Sequence, residues 1–379
     1  MTPLRTRVEG FGAWVRLGDE TLVAISRRRA RSLGIDGASV WDAPSPPPPP
    51  PPLEAHVAVT SRCPVSCPGC YQNASPHGTD LPLPQLVNTL DDLSRSGVFT
   101  VAFGGGEPLL HPDLGSLATA ARARGLTPVV TTSGLGLTAE RAETLRAFAQ
   151  VNVSHDGVGA GYRAVRGYDG ASAADRAIAL LCAAGVTVGI NHVLTADNVG
   201  GLDAMCAHAV ELGVKEMQLL RYKPAGRAAS LDYLARRLRP EQSEALARSL
   251  PDLAERYGAR LSLRVDCALV PLLSGVLDDA AGLARFGVFG CEAGRHLGSV
   301  DREGEARGCS FVADEHRGAL SVGAFREWAD DPAEPCRGCS LRSVCRGGCK
   351  VVAVHVRGAM GPDPECPRVR AWEARAEGP

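Results

Sequence analysis

The sequence predicts an α/β fold: a partial (β/α)6 barrel of the TIM type, preceded by a small β-rich segment and followed by a cysteine-rich domain. From residue 56 onward, six short runs rich in β-branched residues alternate with amphipathic helical patterns, which predicts a parallel sheet, either open and doubly wound or curved into a barrel. Polar or glycine-rich motifs end the first four runs, and parallel strands share one carboxyl edge, where such folds carry their chemistry. The predicted division is a β-rich segment at 1–43, a linker at 44–52, the barrel at 53–235, a bridging helical region at 236–285 and the cysteine-rich domain at 286–379.

Length and composition limit the function classes. The 379 residues are 45% hydrophobic and 22% charged, which is typical of a globular protein with more than one core. A formal net charge of -1 argues against nucleic acid as a partner. The longest uncharged apolar run, 177–190, is too short to span a bilayer, and the first residues lack the apolar stretch of a secretory signal. We therefore expect a cytoplasmic protein without a membrane partner.

The N-terminal segment predicts a β-hairpin at 13–25 with its turn at Gly18 and Asp19, then a short helix ending at Gly34. Seven consecutive prolines, 46–52, follow. Such a run forms a polyproline II rod about 22 Å long and acts as a semi-rigid spacer. The sequence therefore predicts that the N-terminal segment is a separate unit.

The barrel region divides into strands and helices by hydrophobic periodicity. Predicted strands lie at 56–60, 99–105, 127–134, 150–157, 186–194 and 215–222, and predicted helices at 84–97, 114–125, 139–149, 173–185 and 198–213. Gly97, Gly125, Gly185 and Gly213 stand where helices end. A further helix is predicted at 239–258 and a further strand within 259–267.

Ten of the thirteen cysteines fall in two clusters, which in a large chain without a secretory signal indicates metal or redox chemistry. The first cluster, Cys63, Cys67 and Cys70, follows the first strand at the spacing C-x3-C-x2-C. Three thiolates can bind zinc or an iron–sulfur cluster, but a structural zinc site needs four ligands, and His77 lies at an unusual spacing. An open metal position is typical of a catalytic site. Cys182 and Cys206, within helical patterns, are interpreted as buried core residues.

The first cluster resembles the motif of the radical S-adenosylmethionine (SAM) enzymes, because Tyr71 follows the third cysteine and the second strand ends in Gly105-Gly106-Glu107-Pro108. The resemblance implies that the three catalytic cysteines hold a [4Fe–4S] cluster whose fourth iron binds the methionine end of SAM. Its reductive cleavage gives a 5′-deoxyadenosyl radical that abstracts a substrate hydrogen. A flavodoxin or ferredoxin is expected as electron donor.

The same resemblance implies the cofactor contacts. Glu107 would accept from the ammonium group of SAM, while Gly105 and Gly106 would let the backbone approach it. The other expected contacts are Tyr71, Ser133, Ser154, Asp156 and Arg166, with Arg163 as the alternative to Arg166. Asn198 is interpreted as a helix N-cap. Weak candidates for proton transfer or substrate contact are His155, His192, Gln218, Arg221 and Tyr222, of which His155 fits better as a residue packed beneath a helix.

The second cluster resembles the SPASM extension of radical SAM enzymes that mature peptides and proteins. The match covers Gly304 and seven cysteines, which are Cys291, Cys309, Cys336, Cys339, Cys345, Cys349 and Cys366. It implies two auxiliary [4Fe–4S] clusters, three in all: an outer one on Cys336, Cys339, Cys345 and Cys366, and an inner one on Cys291, Cys309 and Cys349. The fourth inner position is either open, which we favour, or filled by Cys267. Zinc knuckles would not require these spacings.

The resemblance implies a peptide or protein substrate, with ribosomal peptide maturation by cross-linking or epimerisation as the favoured reaction. An anaerobic sulfatase-maturing enzyme, which makes formylglycine, is the alternative, but those relatives carry an Asp where this chain has Ser310. A small-molecule substrate stays open, and the paired motifs disfavour a non-catalytic scaffold. Because 43 residues are too few for a leader-binding winged-helix domain, the two alternatives are a separate leader-binding protein and a substrate without a leader.

Overall fold

The computed structural model describes residues 5–18, 21–45, 49–230, 233–287, 290–301 and 303–376. These residues form two sheets, one with three antiparallel strands and one with nine strands. The strands are β1 Thr6–Glu9, β2 Gly12–Leu17, β3 Thr21–Ser26, β4 Glu54–Thr60, β5 Thr100–Gly105, β6 Thr127–Thr132, β7 Gln150–Ser154, β8 Val188–Leu194, β9 Glu216–Arg221, β10 Ser262–Val265, β11 Leu297–Val300 and β12 Ala306–Arg307. Within the described ranges, no helix is both long and apolar enough to cross a membrane.

The large sheet confirms the predicted partial barrel. Its strand order is β10-β9-β8-β7-β6-β5-β4-β11-β12, and every pairing from β10 to β11 is parallel. All six predicted strands are present as β4 to β9, and the strand predicted within 259–267 is β10. The predicted glycines at helix ends adopt positive φ angles of 90°, 72°, 72° and 79° at Gly97, Gly125, Gly185 and Gly213.

The helices cover the outer face of the barrel and continue into the C-terminal domain. They are α1 Arg27–Ser32, α2 Ala38–Trp41, α3 Leu83–Ser96, α4 Leu114–Ala123, α5 Ala139–Thr144, α6 Ala160–Arg166, α7 Ala171–Ala183, α8 Leu202–Glu211, α9 Arg227–Ser230, α10 Tyr233–Arg236, α11 Pro240–Tyr257, α12 Val270–Leu273, α13 Ala280–Ala284, α14 Val322–Asp330, α15 Arg342–Cys345, α16 Lys350–Arg357 and α17 Pro367–Ala376. Alternate strand residues pack against the barrel helices in one apolar core, which includes Val57, Phe103, Val151, Ile190 and Met217.

The opposite face of the strands, which lines the barrel interior, is largely polar. Gln150 on β7 reaches across β8 to donate to Glu216 on β9, with 3.2 Å between Nε2 and Oε1. Gly189 makes this crossing possible, because a Cβ there would lie 2.2 Å from Oδ1 of Asn152 and 2.6 Å from Nε2 of Gln150. Asn191 on β8 donates to Thr131 on β6 over 3.1 Å. The barrel therefore offers hydrogen-bonding groups to whatever enters it.

The N-terminal segment forms the predicted hairpin from β2 and β3, with an additional strand β1 and a second helix α2 that the sequence did not predict. The predicted turn residue Asp19 lies outside the described residues, as do prolines 46–48. Contrary to the prediction of a separate unit, the segment contacts the barrel. Arg16 Nη1 donates over 2.5 Å to the carbonyl of Gly125, and Arg7 Nη1 over 3.0 Å to that of Gly97. These arginines satisfy carbonyl groups that the barrel helices leave free at their C-termini.

Candidate active site

The three cysteines of the first cluster lie in the loop between β4 and α3, at the carboxyl edge of the sheet. Arg227 fixes this loop from the opposite side of the barrel: its Nε donates to Cys67 O over 3.0 Å, and its Nη1 to Ala74 O over 2.7 Å. No thiol in the described chain forms a disulfide. Burial raises the pKa of the Cys63 thiol to about 11, and Glu107 and the neighbouring Cys67 and Cys70 add to this effect. The three cysteines are therefore free thiols that lie close enough for the charge of one to affect the pKa of another.

Gly105 and Gly106 bring the end of β5 against the beginning of this loop. A Cβ at Gly106 would lie 2.0 Å from Arg62 O, and one at Gly105 would lie 2.2 Å from Thr60 O. The close approach is used for hydrogen bonding, because Gly106 N donates to Thr60 O and Glu107 N to Arg62 O, each over 2.7 Å. Gly105 also has a φ of 118°, which favours glycine.

The Glu107 carboxylate is 1% exposed and accepts four hydrogen bonds from the chain itself. Thr132 Oγ1 and Leu109 N donate to one oxygen over 2.6 and 3.0 Å. Ser133 donates to the other oxygen from its backbone N over 2.7 Å and from its hydroxyl. These donors fill the acceptor positions of a carboxylate. Thr132 was not among the predicted contacts, although it directly precedes Ser133.

Asp156, fully buried after β7, connects three parts of the site. Its Oδ1 accepts from Val193 N over 2.6 Å, and its Oδ2 from Nε of Arg166. Burial would lower the pKa of Arg166, but the charges of Asp156 and Cys67 raise it above its ordinary value. Arg163 is instead exposed and paired with Asp169 over 2.9 Å. Of the two arginines that the sequence left open, Arg166 is thus the one at the site.

Two predicted roles are wrong. Asn198 makes no side-chain cap to the short helix that follows it. Its amide instead donates to Val193 O over 2.7 Å and to Asp156 O over 2.9 Å, and so fixes the backbone around Asp156. His192 points away from the barrel interior and is 1% exposed, with Nδ1 at 2.8 Å from His155 O. It therefore cannot meet a substrate inside the barrel.

His155 packs beneath a helix, as predicted, and is fully buried. Its Nε2 lies 2.9 Å from Oδ1 of Asp175 on α7, and His208 Nε2 on α8 lies 2.8 Å from the same oxygen. Burial lowers the pKa of His155. Ser154 is also buried, at the end of β7 and adjacent to Asp156.

The cysteines of the second cluster gather in two groups within the C-terminal domain. Cys336 and Cys366 pack together with Val369, and Arg368 Nη1 lies 3.7 Å from Cys339 Sγ. Burial raises the pKa of Cys345, and Cys366 and Cys336 are among the charges that act on it. In the second group, burial raises the pKa of Cys309 to about 12, with further contributions from Cys291 and Cys349.

Cys267 lies with the second group. It lies two residues after the end of β10, and burial, Asp266, Cys291 and Cys349 all raise its pKa. Its neighbour Ala268 belongs to the same apolar cluster as Cys349, against which Cys291 and Cys309 pack. The position of Cys267 therefore favours the alternative of a fourth cysteine ligand over the expected open iron.

Lys223 and Phe311 connect this group to the first cluster, and neither was predicted. The Lys223 ammonium pairs with Asp266 and lies 4.3 Å from the centre of the Phe311 ring. Phe311 in turn lies against Tyr71, with 4.5 Å between the ring centres. Little in the sequence pointed to these two residues. Lys223 directly follows Tyr222, a weak candidate for substrate contact, and Phe311 directly follows Ser310, which was named only in weighing the sulfatase-maturing alternative.

Two further candidates for substrate contact are engaged elsewhere. Arg221 is 4% exposed and pairs with Asp363 over 2.6 Å and Glu365 over 2.8 Å, so it joins the barrel to the C-terminal domain instead of meeting a substrate. Tyr222 stacks on Tyr233 with 6.0 Å between ring centres, and a Cβ at Gly69 would lie 2.9 Å from its ring.

Comparison with known proteins agrees with this geometry. A family model described as the radical SAM superfamily matches residues 57–200. The mycofactocin maturase MftC of Mycobacterium ulcerans is 32% identical over 331 residues, which cover 81% of this chain and 86% of that protein. The PqqA peptide cyclase of Streptomyces rochei is 29% identical over 332 residues, covering 82% of this chain and 88% of the cyclase.

Two solved structures share the fold. Streptococcus suis SuiB bound to S-adenosylmethionine superposes with a TM-score of 0.71 at 15% identity and covers 97% of this chain and 99% of SuiB. The enzyme anSMEcpe with bound AdoMet and a peptide has a TM-score of 0.63 at 18% identity, covering 86% of this chain and 97% of that one.

Proposed function

The chain belongs to the radical SAM superfamily, and from this premise we propose that it uses a 5′-deoxyadenosyl radical to modify a ribosomally made peptide by cross-linking or epimerisation. The observation that carries the proposal is the junction of Gly105 and Gly106 with the cysteine loop, which brings three free thiols beside one buried carboxylate. Peptide modification is supported by the relatives, which are named as a peptide maturase and a peptide cyclase.

The residues of this junction fit a [4Fe–4S] cluster that binds SAM. Cys63, Cys67 and Cys70 would hold the cluster, and the absence of a Cβ at Gly106 lets the end of β5, with Glu107, lie against the loop that carries them. When bound, this cluster supplies the electron that cleaves SAM to methionine and the 5′-deoxyadenosyl radical.

Glu107 must release an acceptor position to bind the ammonium group of SAM, because its four positions are filled by the chain. The backbone donors Leu109 N and Ser133 N are fixed, and Thr132 is 2% exposed with its hydroxyl also accepting from Gly134 N over 2.9 Å. Ser133 is partly exposed, and the bond that its hydroxyl accepts from Leu135 N is longer, at 3.4 Å. We assign Ser133 as the donor that turns away when the cofactor binds. Asp156, Ser154 and Arg166 would contact the remainder of the cofactor, and Tyr71 would cover the cluster.

The polar interior of the barrel supports a peptide as substrate, since peptide groups require hydrogen-bonding partners when they leave water. Formylglycine formation is less well supported. Ser310 occupies the position of the expected Asp, and its hydroxyl lies 3.1 Å from Nδ1 of His56. A hydroxyl group has no basic form near neutral pH, so Ser310 is not a general base.

We propose two auxiliary clusters, with Cys336, Cys339, Cys345 and Cys366 holding the outer one. For the inner cluster, the position of Cys267 leads us to replace the open iron by a fourth ligand, so that Cys267, Cys291, Cys309 and Cys349 hold it. A fully ligated inner cluster transfers electrons and does not bind substrate directly. An electron donor such as flavodoxin or ferredoxin, and a separate leader-binding protein, complete the proposal.

Anaerobic reconstitution tests the radical SAM assignment and the number of clusters together. The wild-type protein should contain about twelve irons and form 5′-deoxyadenosine under a chemical reductant, and a variant with Cys63, Cys67 and Cys70 all changed to Ala should retain about eight and form none. Zinc in place of iron, without cleavage of SAM, would contradict the proposal.

The peptide substrate is tested with short peptides encoded beside the gene. A cross-linked product loses two hydrogen atoms, whereas an epimerised product keeps its mass in water and gains deuterium in heavy water. Mass spectrometry therefore distinguishes the two reactions, and unchanged peptides throughout would argue for a small-molecule substrate.

The assignment of Cys267 is tested with Cys267→Ser. Cys182→Ser is the matched control, because Cys182 is also free and partly buried but lies on α7, with its Sγ 3.8 Å from Leu212 O. We expect the iron content and the EPR spectrum of an auxiliary cluster to change in Cys267→Ser and not in the control. Identical spectra for both variants would mean that Cys267 is not a ligand and that one iron of the inner cluster is open.

A further inference from the structure

Lys350, the first residue of α16, is a buried cation at the centre of the C-terminal domain. Only 2% of the surface of Lys350 is exposed to solvent. The ammonium donates to Gly347 O over 2.7 Å and to Gly361 O over 3.2 Å, and it lies 3.9 Å from the centre of the Trp328 ring. The loop is built around it, since a Cβ at Gly347 would lie 2.8 Å from the Lys350 Nζ. The side chain is therefore held in one position by three neutral groups.

This cation has no carboxylate partner among the ion pairs of the described residues, unlike Lys223, which pairs with Asp266. A buried charge is costly unless an opposite charge compensates it. Asp363 contributes negative charge nearby, but its carboxylate already binds Arg221. Burial lowers the pKa of Lys350, so negative charge from other groups must stabilise its ammonium form.

The ammonium lies beside ligands of both proposed clusters, because Gly347, whose carbonyl group it binds, stands between Cys345 of the outer set and Cys349 of the inner set. Segments that carry the two sets touch, because a Cβ at Gly290 would lie 1.7 Å from Val344 O. Lys350 also follows the inner ligand Cys349 directly along the chain. The ammonium therefore lies between the two groups of thiols.

We infer that Lys350 acts on the reduction potentials of the auxiliary clusters, through a fixed positive charge placed between them. The inference rests on the proposed presence of these clusters. Each one-electron reduction takes one electron from the reductant and adds one negative charge to a cluster and its thiolates. A buried ammonium stabilises that added charge strongly because the surroundings screen it little. Lys350 thus makes both clusters easier to reduce. Clusters that are more easily reduced are better suited to accept an electron from the substrate.

The test is an EPR-monitored redox titration of the full-length reconstituted protein, with dithionite as reductant. Lys350→Gln removes the charge but keeps a hydrogen-bond donor, and Lys350→Arg keeps the charge. Iron and sulfide content is measured first, so that missing auxiliary clusters in the wild-type protein are recognised as a failure of the proposed function. The radical SAM cluster serves as the internal reference.

We expect Lys350→Gln to shift the one-electron reduction equilibrium of at least one auxiliary cluster about tenfold toward the oxidised form, which is a midpoint potential ~59 mV lower. Lys350→Arg should retain the wild-type potentials. Loss of auxiliary iron in Lys350→Gln but not in Lys350→Arg would also support the role of the charge. Unchanged potentials in Lys350→Gln, equal shifts in both variants, or loss of iron from both would overturn the inference.

Discussion

At the scale of single residues, Gly104 in β5 and Gly106 just after this strand differ in whether they tolerate a Cβ, and this difference can be measured. Gly106→Ala would place a Cβ 2.0 Å from Arg62 O, so the cysteine loop or the end of β5 must move. We expect binding of SAM to the reconstituted protein to weaken at least about tenfold, which is ~1.4 kcal/mol. Equilibrium dialysis with labelled SAM measures the change.

Gly104→Ala is the matched control for this substitution. Its Cβ would meet only the Tyr71 hydroxyl, at 3.9 Å, and its φ lies outside the left-handed region. Affinity for SAM should stay near that of the wild type. Equal losses in the two variants would mean that the close approach at Gly106 has no special role.

His155 gives the protein a stability that depends on pH. Because burial lowers its pKa in the folded state below the ordinary value of 6.5, the unfolded chain binds the proton more readily. Stability from the neutral side chain is therefore present above pH 6.5 and is lost as the pH falls through 6.5 toward the lower folded pKa. We expect His155→Gln to show a smaller fall in melting temperature than the wild type between pH 7 and pH 5.

An exposed histidine provides the comparison for this experiment. His316 lies in a short helix in the C-terminal domain and is partly exposed, so His316→Gln should keep the wild-type dependence on pH. A wild-type slope in His155→Gln would show that other groups cause the acid sensitivity.

The residues that could be predicted from the sequence are those whose role depends on local spacing. The cysteine motif and Glu107 belong to short segments that meet at one sheet edge by the rules of parallel strands. Lys223 could not be predicted in the same way, because its partners Asp266 and Phe311 lie far along the chain and only the folded chain brings them together. Cys267 was expected only as the alternative to an open iron, for the same reason. Asn198 illustrates the limit. An asparagine before a helix commonly caps that helix, whereas the side-chain amide of Asn198 donates to the buried carbonyl group of Asp156.

At the scale of secondary-structure elements, the end of β9 is joined to the C-terminal domain by buried charges. Arg221 pairs with Asp363 and Glu365, and Asp363 also accepts from Cys349 N over 2.9 Å. Arg221→Met would leave the buried Asp363 carboxylate without its cation, which typically costs about 3–5 kcal/mol, whereas Glu365 keeps its pair with Arg237 over 2.8 Å. We expect a clearly lower melting temperature and loss of iron from the inner cluster.

Arg248→Met is the control at this scale. Arg248 forms an i,i+4 pair with Glu244 on α11, and the two side chains are 66% and 57% exposed. Exposed pairs of this kind contribute about 0.3–0.5 kcal/mol. Thermal unfolding with iron analysis should therefore distinguish the variants, and similar behaviour would contradict the joining role of Arg221.

At the scale of the whole molecule, the parallel strands and the helix positions followed from periodicity, whereas the arrangement of the terminal segments did not. A run of prolines predicts a stiff connection, but stiffness does not determine direction. Here the chain leads the N-terminal segment back to the barrel, where Arg7 and Arg16 meet the carbonyls of Gly97 and Gly125. Strand β11 likewise extends the barrel sheet beside β4, a long-range pairing that no local pattern encodes.

The position of the N-terminal segment leads to a prediction for the whole enzyme. Its arginines contact the barrel at helix C-termini, which lie at the amino ends of the strands, and the cysteine loop lies at the opposite edge. Deletion of residues 1–45 should therefore lower the melting temperature, because helix carbonyls and part of the barrel surface become exposed. It should leave reductive cleavage of SAM in the absence of peptide close to the wild-type rate. If the deletion variant retains its iron but no longer forms 5′-deoxyadenosine, the prediction is wrong. The N-terminal segment would then influence the active site through the barrel.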